Sequence, residues 1–154
     1  MEVNKIISHA LQSMPPSKRQ KAFAKDTSKL IHMGLNENNY GMSPKAVAAL
    51  EDSMAGSHFY PDFAAVLLKQ KVAEQYGLKA ENVLTGAGSS AMIDMIGLTF
   101  LDEGDEVLFS APTYGAFADM AYLNGGVPVS VPVTEEQKFN LPAMKEKIGE
   151  KTKI

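Results

Sequence analysis

The 154-residue sequence contains no cysteine and no tryptophan. The missing thiols exclude disulfides, thiolate metal sites and cysteine nucleophiles. Arginine is nearly absent as well. Arg19 is the single one among fifteen basic residues, so the planar fork that usually grips carboxylates and phosphates is scarce. The three histidines, His9, His32 and His58, are scattered and show no i,i+4 pairing, which predicts no metal site. Basic residues are not in excess: fifteen Lys and Arg against eighteen Asp and Glu give a net charge of -3, without the basic stripe of a nucleic-acid binder. Long apolar runs are missing too. The longest, Met92 to Leu101, is interrupted by Asp94 and is too short to span a bilayer. Glu2, Ser8, His9 and Gln12 spoil any secretory leader, so the expectation is a cytoplasmic protein without membrane contact.

What is present is a globular composition, 45% hydrophobic and 21% charged, able to bury a core. Val3, Ile6, Ile7, Ala10, Leu11 and Met14 recur at helical spacing, and Pro15-Pro16 stops that helix. A polar connector with Lys18, Arg19, Lys21, Lys25 and Lys29 follows and reads as a solvated linker. Ile31, Met33 and Leu35 alternate as a short extended segment. Ser43-Pro44 supplies a cap and a first-turn proline for a helix carrying Val47, Leu50 and Met54, closed by Gly56. Asp62 is placed to cap a further helix with Ala65, Leu68, Val72, Ala73 and Tyr76 on one face, ended by Gly77.

From Asn82 the pattern becomes strand, helix, strand, helix, strand, helix, which argues for an α/β fold with a parallel sheet. The expected strands are Val83–Thr85, Glu106–Ser110 and Val127–Val133, the last an edge because of Pro128 and Pro132. The expected helices run from Ser90 to about Leu101, to about Leu123, and from Asn140 to Gly149. Lys153-Ile154 reads as the start of another strand.

Two segments carry chemistry. Gly86-Ala87-Gly88-Ser89-Ser90 follows a strand and opens a helix. Backbone N–H groups and the helix dipole at such a point favour an anion, commonly a phosphate, and the serine hydroxyls add donors. A tight strand-to-helix turn capped by Ser89 or Ser90 would have the same sequence. The spacing to Ala91 also fits a dinucleotide fingerprint, but that needs an acid at the end of the next strand. Phe109-Ser110-Ala111-Pro112 offers none. The second segment, Ala111-Pro112-Thr113-Tyr114-Gly115, sits at a carboxyl strand end, where open parallel sheets bind ligands. Tyr114 could stack on a flat ring there, or be a buried tyrosine with its hydroxyl satisfied. Asp102-Glu103-Gly104-Asp105-Glu106 is read as a solvated turn, and no histidine and acid partner Ser89 or Ser90 as in a hydrolase.

Taken in order, Leu35-Asn36-Glu37-Asn38, Tyr40-Gly41, Ser43-Pro44, Phe59-Tyr60-Pro61-Asp62, Thr85-Gly86-Ala87-Gly88-Ser89-Ser90 and Ala111-Pro112-Thr113-Tyr114-Gly115 resemble the fold-type I, class I/II pyridoxal-phosphate aminotransferases. The histidinol-phosphate aminotransferase group is the most similar, over about Lys29 to Ile154. The resemblance implies the N-terminal part of the large cofactor-binding domain, over residues 36–154, preceded by a helix and connecting arm over 1–35. It implies pyridoxal 5'-phosphate as cofactor and a homodimer that moves an amino group from a histidinol-phosphate-like or aromatic amino acid to a 2-oxo acid.

Gly88, Ser89 and Ser90 then match the phosphate-holding turn, and Tyr114 the aromatic on the pyridine ring. Tyr60 matches the tyrosine that reaches the partner subunit's cofactor phosphate. Asn36 and Tyr40 match the arm over the substrate. Asn39 and Met42 stand where the group commonly has proline, and Ser90-Ala91 where it often has two acids.

None of the fourteen lysines matches the family's cofactor-bearing lysine, so no catalytic residue is assigned and the chain alone is expected to be inactive. The alternatives are a decarboxylase or lyase of the same fold, or a non-catalytic fragment that binds only phosphate or a partner chain. In the resembled fold the strands at Val83 and Val107 are not neighbours. Unpaired strand edges, and exposed apolar residues around Ile93, Ile96 and Phe109, are therefore expected.

Overall fold

The computed structural model describes residues 7–15, 31, 33–34 and 36–154. The basic connector over 18–29, His32, Leu35 and the first residues of the expected amino-terminal helix lie outside this set. The chain divides into two compact units, residues 1–16 with 85–154, and residues 17–84.

In the first unit, α1 (His9–Ser13) is shorter than its periodicity suggests. Ser8 Oγ accepts from Leu11 N at 3.3 Å and sets its start. The sheet is formed by β1 (Glu106–Ala111) and β2 (Val127–Pro132), paired in parallel from Glu106 opposite Val127 to Ala111 opposite Pro132. On the other side of β1 the chain end runs parallel to it. Glu106 bridges Thr152, Glu106 N donates to Lys151 O at 2.7 Å, and Leu108 N to Ile154 O at 2.8 Å. The strand sense read at Lys153-Ile154 is thus correct. The edge of β1 expected to be bare is covered by residues 151–154 from Glu106 to Leu108, while β2 pairs along the other side of the strand.

The expected strand at Val83–Thr85 does not form. A 3-10 turn over Ala80–Asn82 leads into extended backbone without a ladder. A strand exists only through its partner's hydrogen bonds, and among the described residues none is aligned beside Val83.

Helices α4 (Gly88–Phe100), α5 (Ala116–Leu123) and α6 (Leu141–Lys147) connect and cover these strands. Asn140 caps α6, its side chain accepting from Ala143 N at 3.2 Å, and Pro142 lies in the first turn, as its sequence predicts. The core is small. Val107 of β1 packs with Met120 and Ala121 of α5, and Ile93, Leu101 and Phe109 close around them. Exposed apolar residues are found where expected, at Met95, Ile96, Leu98 and Phe100, whereas Ile93 and Phe109 themselves are partly buried against the core.

The second unit carries α2 (Pro44–Ser53) and α3 (Val66–Tyr76). Pro44 starts α2 after Ser43, although the serine side chain makes no capping bond. The Asp62 carboxylate accepts from Ala64 N at 3.0 Å and Val66 N at 2.8 Å, so it organises the turn before α3 rather than capping from the adjoining position. Gly77 ends α3 with φ +64°, where a side chain would be strained. Ile31 and Met33 are exposed and lie in no strand.

Gly97 marks where α4 meets α5. A Cβ there would lie 2.5 Å from Asn124 Nδ2 and 2.6 Å from Met120 Cγ. Met120 is fully buried and cannot swing aside. Overpacking of this kind costs about 1–3 kcal/mol, against a helix-propensity gain of about 1 kcal/mol for alanine over glycine. Gly97→Ala is expected to destabilise the first unit by about 1 kcal/mol, seen as faster amide hydrogen exchange at Val107 and Val131.

Candidate functional site

The chain reaches the site through the glycine turn. Gly86 is followed by Ala87, and Gly88 takes φ +80°, a conformation that an L residue adopts only with strain. Its N–H turns back to Gly86 O at 2.8 Å, so this amide is used within the turn. Helix α4 then starts at Gly88, two residues before its expected start at Ser90, with no side-chain cap and no acid in its first turn. The first N–H groups of a helix have no partner inside it. With the helix dipole they make this end attractive to an anion.

The second component is the loop after β1. Ala111 ends the strand, its peptide to Pro112 is cis, and Thr113-Tyr114-Gly115 lead into α5. β1 is held by its pairing with β2 and by Val107 under Met120 and Ala121, so this loop leaves a fixed strand end.

The two components meet. Ser90 Oγ lies 2.8 Å from Tyr114 Oη, a hydrogen bond across twenty-four residues in which either hydroxyl can donate. The Tyr114 ring stands edge-on to Phe117, with centroids 6.4 Å apart and planes at 85°. Tyr114 is not a core residue, being 44% exposed. Beside it a groove of about 360 Å³ is lined by Phe109, Thr113, Tyr114, Tyr122 and Ser130 among others, with no lysine.

Gly88, Ser89, Ser90 and Tyr114 are therefore gathered within one unit. Tyr60, Asn36 and Tyr40 belong to the other unit. Tyr60 is 89% exposed, with its ring 5.7 Å from that of Phe63. Asn36 has φ +54°. The turn after it is closed by Asn38, which accepts from Tyr40 N at 3.1 Å and donates to Gly41 O at 2.9 Å, leaving Tyr40 fully exposed. Sequence reasoning missed the direct bond between Ser90 and Tyr114. No spacing rule could reveal it, since it joins residues twenty-four apart, one in the first turn of α4 and one in the loop after β1.

The family model for aminotransferase class I and II matches residues 28–154. The chain belongs to the class I and II aminotransferase family. It is 31% identical over 119 residues to histidinol-phosphate aminotransferase 2 of Carboxydothermus hydrogenoformans, covering 77% of this chain and 33% of that one. It is 36% identical over 127 residues to histidinol-phosphate aminotransferase 1 of Bacillus cereus, covering 82% and 34%. The aromatic amino acid aminotransferase of Corynebacterium glutamicum is 34% identical over 119 residues, covering 77% and 35%. The chain spans about a third of the length of the curated relatives it matches.

Among solved structures, the histidinol-phosphate aminotransferase of Sinorhizobium meliloti, in complex with pyridoxal-5'-phosphate, superposes with a TM-score of 0.80 at 21% identity, over 95% of this chain and 40% of that one. At that identity the likeness is one of fold. These neighbours and the parallel strands joined by helices establish the α/β aminotransferase fold for this family member.

The glycine turn allows a local test. A Cβ on Gly88 would meet nothing within 4 Å, so only the backbone angle opposes a side chain there. Gly88→Ala is expected to cost about 1–2 kcal/mol, measured as a lower urea midpoint, with no steric contribution of the kind present at Gly97.

Proposed function

We propose that this chain is part of a pyridoxal 5'-phosphate-dependent aminotransferase. Its substrates would be a histidinol-phosphate-like or aromatic amino acid and a 2-oxo acid. The single observation that carries the reading is the hydrogen bond between Ser90 and Tyr114, which joins an uncapped helix start to an aromatic ring at a carboxyl strand end. The donor set fits a phosphorylated aromatic cofactor: two serine hydroxyls and first-turn amides for the phosphate, and a half-exposed tyrosine for the ring. When bound, the cofactor serves as the electron sink for chemistry at the amino-acid α-carbon.

This chain's own residues would bind and orient. Gly88 gives the backbone its close approach, Ser89 and Ser90 supply the first-turn amides that face the anion, and Tyr114 faces the ring. The exposure of Tyr60 suits a tyrosine presented to the phosphate site of a second copy in a homodimer, and the exposed turn with Asn36 and Tyr40 suits an arm over the substrate. Residues 36–154 would contribute to the cofactor-binding domain and 1–35 to its arm. The reading carries with it a cytoplasmic enzyme. Among the described residues no helix is long and apolar enough to cross a membrane.

Ser89→Asp separates binding from stability. A carboxylate at a helix start is favourable by about 0.3–1 kcal/mol, so the urea midpoint should hold or rise. The same charge repels phosphate. Pyridoxal 5'-phosphate binding, measured by equilibrium dialysis and absorbance, should fall at least about tenfold, equivalent to about 1.4 kcal/mol. Unchanged binding would remove the phosphate assignment.

None of the fourteen lysines matches the family's cofactor-bearing lysine, so the 154-residue chain is expected to bind the cofactor yet give no transamination. Turnover in an amino-acid and 2-oxo-acid assay would contradict this.

A further inference from the structure

Ser89 and Ser90 are adjacent, and the cofactor reading treats them alike. The structure does not. Ser90 Oγ is 2.8 Å from Tyr114 Oη, whereas no side-chain hydrogen bond holds Ser89 among the described residues. A tyrosine side chain has two torsions, and the second is broad and two-fold, so backbone placement alone leaves the ring plane loosely set. In Tyr114 the ring is met edge-on by Phe117, three residues along the chain, and the hydroxyl tip is met by Ser90 from another helix. Contact at both ring and tip restricts both torsions.

We infer that Ser90 is a positioning residue whose hydroxyl latches the Tyr114 ring across the crevice, leaving the anion to Ser89 and the first-turn amides of α4. This rests on the cofactor reading above for what the ring faces. The latch itself is a property of the two side chains. It predicts that a ligand with a flat ring senses Ser90, while a bare anion at the same helix start does not.

The experiment uses the 154-residue chain with Ser90→Ala, Tyr114→Phe, the double variant and Ser90→Thr. Pyridoxal 5'-phosphate and inorganic phosphate are the two probes, and cross-relaxation between the Tyr114 ring protons and the Ser90 β-protons is the ligand-free readout. Ser90→Ala is expected to weaken pyridoxal 5'-phosphate about fivefold, the scale of one modest hydrogen bond, with inorganic phosphate unchanged. Tyr114→Phe should weaken it at least as much. The double variant should be no weaker than Tyr114→Phe alone, because the bond to Ser90 is already lost there. Ser90→Thr should restore affinity.

In Ser90→Ala the cross-relaxation from the Tyr114 ring to the start of α4 should vanish, and in Ser90→Thr it should persist. If Ser90→Ala weakens both probes equally, Ser90 is an anion ligand and the inference is wrong. It is also wrong if the ring signals to α4 are unchanged in Ser90→Ala. A wild-type chain that binds neither probe, but loses those ring signals in Ser90→Ala, refutes the cofactor reading and upholds the latch.

Discussion

Burial of Val107 beneath Met120 and Ala121 is the interaction on which the first unit depends. It fastens α5 to β1, and α5 spans the connection from β1 to β2, so the parallel pairing and the helix crossover are secured together. Gly97 lets α4 approach Met120 closely enough to join the same cluster. One small core therefore fixes three elements whose ends converge: the start of α4, the end of β1 and the start of α5. The contact between Ser90 and Tyr114 is a consequence of that packing. A loop from an unanchored strand could not hold two hydroxyls 2.8 Å apart.

The core is narrow for the apolar content of the chain. Among the described residues, Ala73, Val107, Met120, Ala121 and Val131 are the buried hydrophobic ones, while Leu67, Phe59, Phe63, Leu84, Leu98 and many others are exposed. With 45% hydrophobic residues, the chain has more apolar surface than its described elements cover. Class I and II relatives are about three times as long as the segment matched here, consistent with apolar faces that are used in contacts beyond these elements.

The site's chemistry is local and neutral. Two hydroxyls, a helix start and an aromatic ring make up its described part, and the single arginine of the chain, Arg19, lies outside the described residues. The dipole of a helix start acts only over about its first turn.

Most helices, their stop signals and the family resemblance are legible in the residues alone. Pro44, Gly77, Asn140 and Pro142 act through their own backbone or side chain within a few residues, so their effects can be read without knowing the fold. Ser89, Ser90 and Tyr114 were recognisable as candidates for the same reason: each sits at a defined point of a βα turn. Tertiary structure decided what depends on partners. Val83–Thr85 has β-forming residues but no aligned neighbour and stays outside the sheet, whereas residues 151–154 find β1 and pair with it. Ile93 and Phe109 are apolar wherever they lie, and only packing against the cluster around Val107 and Met120 partly shields them from solvent. The bond from Ser90 to Tyr114 is likewise a product of packing. Hydrogen bonds between distant side chains need both backbones fixed first, and that fixing comes from burial around β1.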